Sequence, residues 1–243
     1  MYTLKPDDYM LQFSIKGTGL NGVLSPGTTA LDLLWQQKIT QQEKGRKFED
    51  RYATVYYKFM ADNVEYLSET KDDSKQISGR LKWLAYKDMY FSSILIAGNN
   101  GFESTTIDSK MLPADSPFLK EYKTTTSVPF DLKGNEATDL RFYFGPNQFS
   151  LLKSFDDNVE KADQLDLEKI VPLGWGIFRW VNQYFVIPLF NFLGQFIHSY
   201  GLLIFLLTVI VKLILFPLTY KSYMSSAKMR VLRPQVEELN AKY

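Results

Sequence analysis

The chain has 243 residues, a formal net charge of +1, 45% hydrophobic and 15% aromatic residues, one histidine and no cysteine. That length holds one or two domains, and the apolar fraction supports a packed core and excludes a disordered, low-complexity chain. The absence of cysteine removes every disulfide framework, Cys-containing zinc site, iron–sulfur cluster and thiol nucleophile, and His198 alone leaves little imidazole chemistry.

Between residues 9 and 144 the dominant apolar period is two, as expected of half-buried strands. Leu11, Phe13 and Ile15 alternate with Gln12, Ser14 and Lys16; Val55, Tyr57 and Phe59 alternate with Thr54, Tyr56 and Lys58. Leu140, Phe142 and Phe144 alternate with Arg141 and Tyr143. Turn chemistry falls at Ser25-Pro26-Gly27, Gly98-Asn99-Asn100-Gly101 and Gly145-Pro146-Asn147. These features predict an all-β, antiparallel sandwich-like domain of two packed sheets. The period then changes, and Phe149, Leu151, Leu152, Phe155, Val159 and Leu165 suit a linker helix running from the sandwich towards a membrane, closing a first domain of residues 1–165. Gly17, Gly19 and Gly22 give the G-x-G-x-x-G spacing of a dinucleotide loop, but Val23 to Gly27 cannot open the helix that such a site requires, so a glycine-rich hairpin loop is expected.

Charge is segregated along the chain. Residues 1–173 carry 21 Lys+Arg against 25 Asp+Glu, a balance of −4, whereas residues 174–243 carry 7 basic and 2 acidic residues, a balance of +5. From Trp175 to Tyr200 the sequence is aromatic yet carries Arg179, Asn182, Gln183, Asn191, Gln195 and His198. Its polar positions lie on one arc before Pro188 and on a rotated arc after it, which predicts an amphipathic helix over 166–200. That helix would lie in a membrane interface, bend at Pro188 and hold Trp175 and Trp180 at headgroup level beside Arg179. An ordinary amphipathic helix packed on the β-domain is the alternative, and His198 reads as a solvated or capping residue.

Leu202 to Leu218 contains fourteen Leu, Ile, Val or Phe residues, and Gly201 to Tyr220 spans about 30 Å, the thickness of a bilayer's hydrocarbon core. Residues 201–220 are therefore expected to form a transmembrane helix, with a buried core helix as the alternative. Lys221, Lys228, Arg230 and Arg233 follow the span, and no lysine or arginine lies between Arg179 and its start. By the positive-inside rule residues 221–243 are cytoplasmic and residues 1–200 lie outside. The start, MYTLKPDDYM, has neither a basic nor an apolar leader region, and Met224 to Tyr243 stops without a helix terminator, so the chain is expected to be an internal fragment of a longer membrane protein.

The sequence resembles the YidC membrane protein insertase family at Gly174-Trp175-Gly176-Ile177-Phe178, Phe196-Ile197-His198-Ser199, Thr208-Val209-Ile210-Val211-Lys212, Phe216-Pro217-Leu218-Thr219 and Ser226-Ala227-Lys228-Met229-Arg230-Val231-Leu232-Arg233-Pro234. Phe142 to Asn147 and Leu151 to Phe155 look like the end of the extracytoplasmic domain of its Gram-negative members. The resemblance implies residence in the bacterial inner membrane and a non-enzymatic role: inserting and helping to fold nascent membrane proteins, alone or with the Sec translocon and its accessory subunits. It further implies a hydrated groove with a basic residue, usually arginine, at the position of Lys212, and residues 221–243 as the start of a cytoplasmic helical hairpin. No cofactor, no metal and no nucleic-acid binding of its own are expected.

Lys212 lies roughly 12 Å before Tyr220, farther from water than a lysine stem reaches comfortably. Facing a hydrated groove is the functional reading; snorkelling is the alternative. Thr208, one turn earlier, either extends the polar stripe or bonds back to its own helix. Pro217 is expected to kink the helix, or is simply a tolerated membrane proline. Lys221, Lys228, Arg230 and Arg233 are topology determinants, with contact to anionic lipid or to the ribosome as further roles. A competing function is a membrane-anchored carbohydrate-binding β-sandwich, with Trp35, Trp83 and Tyr90 stacking on sugar; a third is a docking module for Sec accessory proteins.

Overall fold

The computed structural model describes residues 1–242 apart from 62 and 99, and only the backbone at 21, 231 and 234–242. Asn99, in one of the expected turns, therefore lies outside the described residues. The chain divides into two compact units, Met1–Pro172 and the segment from Leu173 onward.

The first unit holds eleven strands among its described residues. β1 (Tyr2–Thr3), β2 (Met10–Ile15), β11 (Thr138–Pro146), β8 (Phe91–Ala97), β7 (Leu81–Lys87), β4 (Thr54–Phe59) and β5 (Val64–Tyr66) form, in that spatial order, a seven-stranded sheet. β3 (Ala30–Thr40), β10 (Phe118–Pro129), β9 (Glu103–Met111) and β6 (Asp73–Ile77) form a four-stranded sheet, and every pairing in both is antiparallel. The sheets face each other across a core to which the first contributes Val55, Tyr57, Leu84, Tyr86 and Leu95, and the second Ile39, Ile107, Leu119, Tyr122 and Val128. Trp35 stacks on Tyr86 with ring centroids 3.7 Å apart, joining the two layers. The expected all-β antiparallel sandwich is the observed fold.

A second apolar cluster lies on the opposite face of the seven-stranded sheet, where Tyr56, Trp83, Ala85, Ile94, Ile96 and Tyr143 meet Leu152, Leu165, Leu167 and Ile170. Three expectations are corrected here, the first two by this cluster. In β11, Tyr143 is fully buried and Phe144 half-exposed, the reverse of the alternation read from sequence, because that outer face is covered rather than solvated. The helix expected over residues 149–165 is confined to α2 (Phe149–Ser154), following the one-turn α1 (Arg46–Glu49). Beyond α2 the chain folds back as a strap over the sheet, because Leu165, Leu167 and Ile170 gain more by covering Trp83 than by continuing a helix into water. Third, β11 continues through Pro146, paired with Phe91, where a turn was expected.

The strap is fixed by polar ties as well. The Trp83 indole N–H donates to the Leu165 carbonyl at 2.7 Å, and Lys82 Nζ donates to the Ala162 carbonyl at 2.9 Å. Lys58 Nζ donates to the Gln164 carbonyl at 2.8 Å and forms an ion pair with Asp166. Asp156 accepts from the backbone N–H groups of Leu165 and Asp166 at 2.6 and 2.7 Å. Asp156, Asp166 and Glu168 thus form a carboxylate cluster whose first two members already hold backbone and lysine donors.

The glycine triplet after β2 forms a loop with a single 3₁₀ turn, Leu20–Gly22, and no helix opens there. Gly134, at φ +72°, packs against the Gly17 carbonyl, where a Cβ would sit 2.3 Å from that oxygen. The expected hairpin is not formed, because β2 and β3 belong to different sheets; the glycine-rich segment is a loop crossing between the sheets and packed against the turn at Gly134.

Candidate functional site

The second unit begins with Gly174-Trp175-Gly176, whose glycines adopt φ +85° and +54°. A side chain at either position would be strained, so this turn explains the two glycines. The turn leads into α3 (Ile177–Val181), and the Asn182 side-chain amide donates to the Leu173 carbonyl at 2.9 Å, tying the turn to the helix. The helical winding then widens to a π segment over Asn182–Val186 and continues as α4 (Ile187–Gly194) with Pro188 in its first turn. Proline lacks the N–H that the carbonyl four residues earlier would accept; the wider π winding precedes it, and the helix passes Pro188 without breaking.

Trp175, Phe178, Trp180 and Tyr184 are exposed on this helical stretch, as is Arg179. Their rings pair, Trp175 with Phe178 at 6.2 Å and Trp180 with Tyr184 at 5.9 Å. The indole and phenol rings of Trp175, Trp180 and Tyr184, exposed apolar bodies with polar tips, suit the boundary between headgroups and hydrocarbon.

α5 (Tyr200–Lys242) is one helix of 43 residues. Its first turns meet α4, where Leu203 is buried and approaches Gly194. From there to Tyr220 it exposes Ile204, Phe205, Leu213, Ile214, Leu215, Phe216 and Leu218. This stretch, contained in the apolar span Tyr200–Arg230, is long enough to cross a bilayer and largely lacks protein cover, which separates it from a soluble core helix. The helix continues past Tyr220 without a break, so Lys221, Lys228, Arg230 and Arg233 project from the same rod, all exposed.

Lys212 and Thr208 are exposed four residues apart, hence on one face of α5. The Thr208 hydroxyl donates to the Ile204 carbonyl at 2.8 Å, the back-bonded arrangement, which leaves its oxygen lone pairs facing outward. Thr219 is back-bonded to Leu215 in the same way, just after Pro217, which the helix passes. The structure thus places Lys212 and Thr208 together, keeps the four basic residues beyond Tyr220 apart from them, and puts Trp175, Arg179, Trp180 and Pro188 on a different helical stretch.

The β-unit offers clefts but no aromatic sugar platform of the expected residues. Trp83 is fully buried with its N–H occupied, Trp35 is stacked on Tyr86, and Tyr90 donates its hydroxyl to Glu43 at 2.7 Å. A cleft of about 430 Å³ at one end of the sandwich is lined by polar groups including Asp131, Glu136 and Asp139, and a second of about 300 Å³ by Tyr9, Asp88, Phe91 and Phe144. Neither includes Trp35, Trp83 or Tyr90. Burial removes Trp83 from the sugar-stacking set, because a ring covered by the strap has no free face.

Sequence reasoning missed the buried lysines. Lys120 Nζ, fully enclosed, donates to the carbonyls of Asp50, Ala53 and Glu69 at 2.9, 2.6 and 2.6 Å. Lys87 donates to the Tyr52 carbonyl, and burial pushes its ammonium down to about 8. For Lys87 the available signal was apolar residues in both phases of β7, Leu81, Trp83 and Ala85 alternating with Leu84 and Tyr86, which marks a strand covered on both faces.

An antiparallel β-domain followed by an exposed apolar helix defines a membrane protein with a globular domain outside the bilayer. Two family models match this chain: "YidC periplasmic domain" over residues 1–188 and "60Kd inner membrane protein" over residues 192–243. Relatives named membrane protein insertase YidC match its whole length, at 74% identity in Parabacteroides distasonis, 44% in Bacteroides fragilis and 42% in Porphyromonas gingivalis. The chain covers 38%, 39% and 39% of those relatives, about two-fifths of their length. The chain belongs to the YidC family and is a protein of the bacterial inner membrane with a periplasmic β-domain.

Proposed function

We propose that this chain supplies the periplasmic domain and first core membrane helix of an insertase, which moves apolar segments of nascent proteins sideways into the bilayer, alone or beside the Sec translocon. Residues 221–242 are then cytoplasmic, and the α3–α4 stretch lies in the outer interface. No bond is made or broken. The protein lowers the barrier between two solvents by holding water and polar groups within the inner leaflet.

The observation that carries this reading is Lys212, the only ionisable side chain other than tyrosine between Gly201 and Tyr220, set with Thr208 on one face of a stretch in which Thr219 is the only other polar side chain before Tyr220. An uncompensated ammonium at that depth costs about 2.5 to 3.5 kcal/mol on insertion scales. Facing a hydrated groove removes much of that cost and gives the charge a use: it attracts acidic residues flanking a substrate's apolar segment. Lysine does this as a point charge, without the bidentate fork of arginine. Pro217 is assigned to the groove's cytoplasmic mouth, and Lys221, Lys228, Arg230 and Arg233 to fixing topology and meeting anionic headgroups or the ribosome.

The test is insertion by the full-length protein in a strain depleted of its own insertase. A Lys212→Leu variant is expected to lose insertion of substrates with acidic flanks, and Lys212→Arg to retain it. Full insertion by Lys212→Leu at normal expression defeats the reading.

A further inference from the structure

Three of the four sheet edges are short: β1 has two residues, β5 three and β6 five. The fourth, β3, has eleven, and among the described residues it is paired along its length with β10 on one side only. Short edges are a standard protection against strand addition, and a long open edge presents a row of unpaired backbone donors and acceptors. The outward-facing side chains of β3 are Ala30, Asp32, Leu34, Gln36, Lys38 and Thr40, with Leu34 62% exposed.

We propose that β3 pairs antiparallel with β3 of a second copy of this chain, about a twofold axis at Trp35, joining two four-stranded sheets into one of eight. The pattern of the strand is self-complementary in this register. Asp32 and Lys38 each stand three residues from Trp35, so each Asp32 lies opposite Lys38 of the second copy, twice per dimer. Leu34 lies opposite Gln36 and diagonal to Leu34 of the second copy, which covers an otherwise exposed leucine. Of the registers that keep both inward faces on one side, only this one sets unlike charges opposite each other. The charges are available on the outward face: Asp32 accepts one bond from Ser127 Oγ at 3.1 Å, and the Lys38 ammonium lies 5.8 Å above the Phe118 ring. A twofold contact of this kind closes on itself and leaves no open edge on β3. One strand pair is a small interface, and anchoring both copies in one bilayer raises their effective concentration.

The test uses the full-length protein in its native membrane, with Leu34→Cys and a short bismaleimide crosslinker. A covalent dimer of this protein is expected. Asp32→Lys and Lys38→Asp, each placing two like-charged pairs across the axis, are expected to lower the dimer yield on the order of tenfold, and the Asp32→Lys/Lys38→Asp exchange to restore it. Crosslinking reads contact and not insertion, so its outcome is independent of the function proposed above. Monomer only, a crosslink to a different protein, indifference to the single reversals, or no recovery in the exchange each overturns the proposal.

Discussion

The two units treat the same residue types in opposite ways. In the β-unit Trp83, Tyr57, Tyr86, Tyr122 and Tyr143 are fully buried, whereas from Leu173 onward Trp175, Trp180, Tyr184 and Phe205 are more than half exposed. Lysines differ likewise. Lys58, Lys82, Lys87 and Lys120 are buried against carbonyl oxygens, while Lys212 has no hydrogen-bond partner among the described residues. The comparison teaches that a buried lysine with several backbone acceptors is a structural tie, whereas a lone lysine on an uncovered apolar helix asks for a partner from outside the chain.

The contrast can be broken by substitution. In the β-unit, Trp83→Ala should cost about 3 to 5 kcal/mol in denaturant unfolding, because it opens a cavity under the strap and orphans the Leu165 carbonyl. Lys120→Met should cost about 2 to 4 kcal/mol by the same measurement, since three carbonyls lose their donor. Lys212→Leu should leave unfolding of the β-unit unchanged while losing insertion of substrates with acidic flanks. A large loss of β-unit stability in that variant would erase the distinction between tie and tool.

A pH experiment sharpens the comparison further. Burial lowers the folded ammonium of Lys87 to about 8 and pushes Lys82 and Lys120 in the same direction. Above about pH 8 the folded chain has released a proton from Lys87 that the unfolded chain still holds, so stability rises with pH, by up to about 1.4 kcal/mol per pH unit for one group. The rise should end near pH 10, where tyrosines begin to ionise in the unfolded chain: burial holds Tyr56, Tyr86 and Tyr143 protonated in the fold. Thermal unfolding between pH 7 and 10 should show this slope, reduced in Lys87→Met. The smallest effect is expected for Thr208→Val, whose hydroxyl is already bonded to its own helix, with little change in insertion rate.

Much of this was legible in the sequence. The strands β2 and β4, the Pro26-Gly27 turn and the apolar run from Leu202 follow from local chemistry and stand where they were expected, although Thr54, Tyr56 and Lys58, read as the solvent face of β4, are buried. Tyr143 and Phe144 were misread because alternation tells which residues share a face but not which face is covered; the answer depended on a strap reaching back from residues 155–171. The candidate site was more legible than the fold around it, because an apolar helix declares its odd residue without reference to any neighbour.

By itself the sequence determined the two classes of solvent, the sandwich class, the start of the apolar helix, and Lys212 as the one anomalous charge between Gly201 and Tyr220; that this helix runs on unbroken to Lys242 came from the structure. The first four are properties of composition and period along short stretches. Only the tertiary structure decided that the seven-stranded sheet is covered on both faces, that Lys58, Lys82, Lys87 and Lys120 hold backbone carbonyls in the interior, that Trp83 is a core residue, and that β3 has an open edge among the described residues. Each of those depends on contacts between residues distant along the chain, such as Lys82 with Ala162 and Lys120 with Asp50, and no local pattern encodes which distant carbonyl a lysine will meet.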